Sequence, residues 1–289
     1  MEVFVLGGTG SIGRAVVVEL VKRSHQVIAL SRSEQSDQKL RLLGATPVRG
    51  DLTVPADWAD LAVTHKAVIQ VAATFEDDMG DVDFQAMSAL KQSAERLPEP
   101  IRLIYTGGCW LYGATGDGVA TEDRPFNPLP SFAWMIQHAE MLLESPKLNT
   151  AVIHPAMVYN DTDGGVFDRY MASAKAGKAI EVWGSMKTRW PLIESADLAR
   201  AYCDLLERPD LNGYFNAVAQ QGVAAGDIVH AIASAYASDC EPIVVRAEDA
   251  VAENGAWAKG PTLDQQMSAK KLRAATGWVP QRTDYKGSL

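Results

Sequence analysis

Cysteine is scarce in this 289-residue sequence: Cys109, Cys203 and Cys240 are the three, with no CxxC pair and no metal-like spacing to histidine. That scarcity excludes a disulfide framework and a cysteine-based metal centre, and fits reduced thiols. Long apolar runs are missing as well, since no stretch approaches the roughly 18 residues a membrane span needs. The opening stretch, Met1–Leu6, is too short for a signal-peptide core and lacks a basic leader. Positive charge is in deficit, with 27 Lys and Arg against 36 Asp and Glu and a formal net charge of −9. Such a field repels phosphate backbones and anionic lipid, so no nucleic acid and no membrane is expected as a partner. No repeat, low-complexity tract or Ser/Gly linker cuts the chain into beads. A soluble, cytoplasmic protein, monomer or homodimer, is the expectation.

What is present is an ordinary globular composition, 47% hydrophobic and 22% charged, on a chain long enough to bury a large core. Short apolar runs alternate with longer amphipathic ones. Val3–Leu6, Val27–Leu30, Ala67–Val71, Ile101–Tyr105 and Ala151–Ile153 read as buried strands. Between the first two, Ile12–Val21 has apolar positions at helical spacing; Phe84–Leu97 and Ser131–Leu143 follow the same pattern. Strand and helix in alternation predict right-handed βαβ crossovers, hence an α/β fold with a doubly wound parallel Rossmann sheet. Beyond about residue 155 glycine and proline punctuate shorter elements, with helices expected at Ser195–Glu207 and Gly226–Tyr236. The expected division is a Rossmann domain over 1–155 and a smaller C-terminal substrate-binding lobe over 156–289. A segment at about 186–206 is expected to return to the main sheet.

The strongest chemical signal is Leu6-Gly7-Gly8-Thr9-Gly10-Ser11-Ile12-Gly13-Arg14, which follows the first strand directly and opens a helix. In that setting the glycines permit a tight turn and close approach of a pyrophosphate, over helix N–H groups and a positive dipole end. The second strand ends at Leu30-Ser31-Arg32-Ser33, where an NAD site carries an acidic residue for the ribose 2′-hydroxyl. A hydroxyl and a guanidinium there suit a 2′-phosphate, so NADP is the expected cofactor, with Lys39 and Arg14 as further positive charge. Arg32 as a solvated loop residue is the alternative. Asp51, in Gly50-Asp51-Leu52, is placed to meet the adenine amino group.

Taken in order, these residues resemble the short-chain dehydrogenase/reductase superfamily, in its extended, epimerase/dehydratase-like branch. The resemblance spans nearly the whole chain. It rests on Gly7–Gly13, Gly50-Asp51-Leu52, Val71-Ala72-Ala73, Tyr105–Gly113, His154-Pro155, Arg189–Ala199 and Gly277-Trp278-Val279-Pro280. It implies cofactor contacts at Gly7, Gly8, Thr9, Gly10, Ser11, Ile12, Gly13, Ser31, Arg32, Ser33, Lys39, Asp51, Leu52, Ala72, Ala73, Thr106 and Pro155. The family works through a Ser/Thr, Tyr and Lys trio. With Glu140 holding the register, the resemblance puts Phe132 at the Tyr position, Ile136 at the Lys position and Gly108 at the Ser/Thr position. The sequence is thus similar to an atypical member, with the dinucleotide loop kept and the usual acid and base replaced.

The same register offers replacements. Thr106 and Arg189 are the catalytic candidates, Thr106 to bond a substrate carbonyl and Arg189 to clamp a carboxylate or phosphate. A strand-end threonine bonding backbone and a surface salt bridge are the alternatives for the two. Phe75, Cys109, Trp110, Phe132, Trp134, Trp190 and Glu194 are expected to line a pocket for a small-molecule substrate of apolar or aromatic character. Core packing is the alternative for each aromatic, and a core or solvated residue is the reading for His138. No metal is expected. The implied activity is an NADP(H)-dependent oxidoreductase that reduces a small carbonyl or activated alkene with a non-standard acid or base. A non-redox isomerase, lyase or cyclase, or a non-catalytic NADP-binding sensor, are the alternatives.

Overall fold

Strands that are apolar on both faces need cover on both faces, and the chain supplies it by alternating strand and helix. The computed structural model describes residues 1–289 except Phe75 and Gly164, so the pocket expectation for Phe75 lies outside the described residues. In order come β1 (Glu2–Leu6), α1 (Ser11–Lys22), β2 (Gln26–Ser31), α2 (Glu34–Leu42), β3 (Thr46–Arg49), the short α3 (Ala59–Ala62), β4 (Ala67–Gln70), α4 (Met79–Ala94), β5 (Ile101–Thr106), α5 (Trp134–Leu143) and β6 (Leu148–Pro155). There follow β7 (Met157–Tyr159), α6 (Asp168–Lys175), β8 (Glu181–Trp183), β9 (Arg189–Glu194), α7 (Ser195–Leu206), β10 (Gly213–Ala217), β11 (Gln220–Ala224), α8 (Ala225–Ala235), β12 (Ile243–Val245), α9 (Ala247–Asn254) and α10 (Lys270–Thr276).

Seven strands form one parallel sheet in the order β10-β6-β5-β4-β1-β2-β3. The period of two along β1 shows why both faces are buried. Val3 and Val5 join the core that also holds Val16, Val17 and Leu20 of α1, while Phe4 and Leu6 join the core of Trp58, Ala86 and Leu90. Burying a side chain such as Phe4 is worth about 2–3 kcal/mol. Strand order reverses between β1 and β4, so the loops after these two strands part and open a crevice at their carboxyl ends.

Residues beyond 155 return to the main body at two places. β10, at Gly213–Ala217, pairs in parallel with β6, and α7 packs against α1 beneath the sheet. Of the segment at about 186–206, α7 covers the main sheet, but β9 does not join it. β9 lies instead in a three-stranded sheet, order β11-β9-β7. β8 and β12 form a separate parallel pair. One continuous core runs from Val3 through Trp190 to Trp278, joining the later residues to the first body. Among the described residues no helix is long and apolar enough to cross a membrane.

The helix at Ser131–Leu143 begins later than the sequence predicts, because Pro130 starts a single 3₁₀ turn that ends at Phe132. The one expected at Phe84–Leu97 begins earlier, at Met79.

Candidate functional site

The crevice between β1 and β4 deepens into a cleft of about 980 Å³. Its floor is the glycine loop. Gly7 adopts φ +87°, and a Cβ there would sit 2.7 Å from the Ala72 backbone, so the loop presses against the turn after β4. A Cβ on Gly13 would lie 1.9 Å from the Gly7 carbonyl oxygen. The Gly10 N–H donates to Gly7 O at 3.0 Å, and Arg14 N–H donates to Gly10 O at 3.0 Å as α1 begins. The first-turn N–H groups of α1 and the backbone at Gly7, Thr9, Gly10, Ser11 and Ile12 therefore face the cleft as an anion cradle. Gly8 and Gly13 do not line the cleft; Gly8 packs against Leu40, Val17 and Ala29, and Gly13 lets the loop close on Gly7. The cradle fits the pyrophosphate of a dinucleotide, the ligand the sequence pointed to.

At the outer end Ser31, Arg32, Asp51 and Leu52 line the cleft together with Ser36 and Thr53. Arg32 is exposed and forms no ion pair among the described residues. Thr53 fixes Asp51 beside it, its backbone N–H and its hydroxyl donating to Asp51 Oδ1 at 2.9 and 2.8 Å. Those bonds, and beyond them the Arg32 charge, hold the Asp51 carboxyl below its ordinary range. Ser33 is turned away as the N-cap of α2, accepting from Ser36 N–H at 3.1 Å, and Lys39 is exposed on α2 outside the cleft. Arg14 is also engaged elsewhere. It reaches across to Asn160 and Asp163, at 3.2 and 2.9 Å, and Asn160 in turn donates to Ser11 Oγ at 3.3 Å.

At the inner end Ala72, Ala73, Thr106, Gly108, Cys109, Trp110, Phe132, Trp134 and Pro155 line the cleft. Trp110 and Phe132 pack at 5.3 Å between ring centroids, and Trp134 donates its indole N–H to Ser131 O at 3.0 Å. Burial pushes the Cys109 thiol up to about 12, so it stays protonated. Gly108 is extended, and a Cβ placed on it would meet nothing within 4 Å. Gly108→Ser is accordingly expected to change stability by less than about 0.5 kcal/mol, a shift that thermal melts of the two proteins would register. Ile136 is half-buried on α5 and does not face the cleft. Beneath Gly108 lies His154, fully buried, whose Nδ1 accepts from Gly108 N–H at 3.2 Å. Burial lowers its pKa to about 3, so the ring is a neutral prop for this peptide.

A family model described as "NAD dependent epimerase/dehydratase family" matches residues 3–217. The chain belongs to that family. It is 23% identical to an uncharacterised protein of Schizosaccharomyces pombe over 296 residues, covering 100% of this chain and 98% of the relative. It is 27% identical to the 2-alkyl-3-oxoalkanoate reductase of Stenotrophomonas maltophilia, over 69% of this chain and 64% of that one. Among solved structures, the human epimerase family protein SDR39U1 with NADPH superposes with a TM-score of 0.81 at 20% identity, covering 100% of this chain and 97% of that one.

Within this family fold several residues named from sequence sit elsewhere than expected. Thr106 lines the cleft, but its hydroxyl is bonded to the Gln70 carbonyl oxygen and, at 2.6 Å, to the Tyr202 hydroxyl. It fastens β4, β5 and α7 instead of pointing at a substrate. Arg189 is likewise corrected: it is outside the cleft in a forked pair with Asp264, at 2.9 and 2.6 Å, that ties β9 to the C-terminal segment. Trp190 stacks on Tyr170 at 5.7 Å and donates to Pro261 O, deep in the second lobe. Glu194 caps α7, accepting from Ala196 and Asp197 N–H at 2.7 and 3.3 Å. Each has its partner far along the chain or serves its own turn, so the motif alone did not reveal its orientation.

Other cleft residues escaped the sequence reading. Ser36 follows Ser33 by one helical turn, which the N-cap spacing makes legible. Gln70, Asp83 and Tyr105 also line the cleft. Asp83 left a signal: it lies on the buried stripe of α4 with Ala86, Met87 and Leu90, where a carboxylate is costly to bury.

Proposed function

We propose that this family member is an NADP(H)-dependent oxidoreductase that reduces a carbonyl on a small apolar or aromatic molecule. The observation that carries this reading is the polarity of one continuous cleft. It runs from the exposed guanidinium of Arg32, over the glycine cradle, to an aromatic wall at Trp110, Phe132 and Trp134. Arg32 and the Ser36 hydroxyl suit a 2′-phosphate, over a Ser31 whose own hydroxyl donates to Ser33 O at 3.2 Å; a carboxylate at that strand end would repel the phosphate. The α1 N-terminus holds the pyrophosphate, and Ala72, Ala73 and Pro155 wall the nicotinamide side. When bound, the nicotinamide supplies a hydride at the inner end. The aromatic side chains orient a flat or apolar substrate there and keep water out. The relative that is named a 2-alkyl-3-oxoalkanoate reductase, and the neighbour solved with NADPH, support the same reading.

The open inner cleft favours an enzyme over a pure sensor, whose pocket has no need to admit a second molecule. NADPH is expected to bind at least about tenfold more tightly than NADH, about 1.4 kcal/mol. Arg32→Asp is expected to abolish or reverse that preference. Isothermal titration with both dinucleotides decides it, and equal affinities in the unaltered protein would remove the basis for NADP.

A further inference from the structure

Asp83 is 6% exposed on α4 and is one of the residues that line the cleft. Three elements converge on it. The Tyr105 hydroxyl of β5 donates to Oδ2 at 2.7 Å, His138 Nδ1 of α5 bonds the same oxygen at 2.8 Å, and Gln70 Nε2 of β4 donates to Oδ1 at 2.9 Å. Gln70 also holds the turn that carries Ala72, donating to Ala72 O and accepting from Ala72 N–H. The His138 ring lies between Trp134 and Phe84, at centroid distances of 5.0 and 5.4 Å, and Phe84 is itself half-exposed. The network therefore runs from the cleft wall, through a carboxylate and an imidazole, toward the outer surface of α4 and α5.

We infer that Asp83 is the acid–base group of the cleft and that His138 reloads it with protons from solvent. This inference rests on the reductase reading above and names the residues that take over from the absent Tyr and Lys. Thr74 also lines the cleft with an unpartnered hydroxyl, but an alcohol there is a far weaker acid than a carboxyl group, and three further groups at the inner end do not suit the task. Thr106 has its hydroxyl committed, Cys109 is held protonated, and His154 is neutral beneath a peptide. Glu76 and Asp78 line the cleft from its exposed rim, where solvent surrounds them. Burial, and then the neighbouring Asp83, hold the Tyr105 phenol well above its ordinary range, so Tyr105 orients the carboxylate without yielding its proton. A neutral amide at position 83 would clasp the same elements without burying a charge. The carboxylate adds one property an amide lacks, which is the ability to carry a proton.

In the forward direction the carbonyl carbon gains a hydride, and the electron pair of the C=O π bond becomes a lone pair on oxygen. That oxygen takes the proton of the Asp83 carboxyl group. The carboxylate recovers the His138 Nδ1 proton as water protonates the ring at Nε2, and the ring then exchanges to its Nδ1–H tautomer through solvent, so that each turnover ends where it began. One hydride from the reduced dinucleotide and one proton from solvent convert C=O to CH–OH, and the dinucleotide is left oxidised. The groups that face the carboxylate are His138, Tyr105 and the uncharged Gln70; those that face the imidazole are Asp83, Phe84 and Trp134.

The test compares the unaltered protein with Asp83→Asn and His138→Ala, after thermal melts show that each variant folds. With NADPH and a panel of aromatic ketones, Asp83→Asn is expected to lower kcat about 100-fold or more while NADPH affinity stays within twofold. His138→Ala is expected to lower kcat about tenfold, to flatten the pH profile of the unaltered enzyme, and to regain activity with added imidazole. A merely structural clasp at His138 would not respond to imidazole. Independently of turnover, proton and nitrogen NMR of the protein without dinucleotide is expected to show a downfield His138 Nδ1–H that disappears in His138→Ala. Retention of more than a third of kcat in Asp83→Asn overturns the assignment of Asp83. Loss in that variant with no effect of His138→Ala overturns the relay. Unaltered protein that binds NADPH but reduces no ketone overturns the reductase reading instead, and the relay then falls if the His138 Nδ1 proton is absent from the spectrum.

Discussion

Replacing Gly13 with alanine is expected to weaken dinucleotide binding by at least about 100-fold, about 2.7 kcal/mol. The new Cβ would lie 1.9 Å from Gly7 O, 2.7 Å from Gly7 C and 3.0 Å from Gly8 Cα. Those are backbone atoms on the same loop, so no side chain can yield and the loop itself must shift. A displacement of that size takes the first-turn N–H groups of α1 out of the geometry that a pyrophosphate requires. Gly8→Ala offers the contrast, because its Cβ would meet the side chains of Leu40, Val17 and Ala29 at 3.0 to 3.3 Å, and side chains can give. Titration calorimetry with NADPH, with circular dichroism to confirm folding, checks the prediction. An affinity for Gly13→Ala within a few-fold of the unaltered protein would count against the cradle.

The second large effect is on stability. Asp197 is 2% exposed and accepts from the backbone N–H groups of Gln281 and Arg282, at 3.0 and 2.8 Å, while pairing with Arg200. Its own carbonyl oxygen accepts from the Trp278 indole at 3.0 Å. Asp197→Ala leaves two N–H groups unbonded and the Arg200 guanidinium with the Val279 carbonyl oxygen alone, and is expected to cost about 2–4 kcal/mol. Urea unfolding should show a lower midpoint with an unchanged slope. A loss below about 1 kcal/mol would mean that solvent reaches the site and replaces the carboxylate. Asp197→Asn, which keeps an acceptor for the N–H groups, is expected to lose less.

The Asp197 network also shows how two sequence segments acquire a meaning that neither has alone. Glu194-Ser195-Ala196-Asp197 and Gly277-Trp278-Val279-Pro280 were each recognised by resemblance. The structure makes them one joint, in which an N-capped helix start receives the returning C-terminal segment. Much of the cleft was legible in the same local way. Gly7–Gly13, Ser31, Arg32, Asp51, Ala72 and Ala73 lie on loops that follow strands, and their roles depend on residues a few positions away. Thr106 and Arg189, the catalytic candidates of the sequence, both have side chains bonded within the protein. Strand alternation turns Thr106 toward Tyr202, 96 positions on, and Arg189 meets Asp264, 75 positions on. Asp83 was passed over, and His138 was read as a core or solvated residue, for the same reason, since 55 residues separate the two halves of their contact.

By itself, then, the sequence determined the parallel sheet with cover on both faces, the glycine cradle at its first turn and the positive strand end beside it. Those features arise from periodicity and turn chemistry, in which near neighbours decide the backbone. Only the tertiary structure decided that β10 completes the main sheet, that Trp190 and Glu194 serve the second lobe, and that a carboxylate on α4 meets an imidazole on α5 at the cleft wall. Such pairings follow from how the helices settle on the sheet, where a side chain's partner is chosen by packing and not by its distance along the chain.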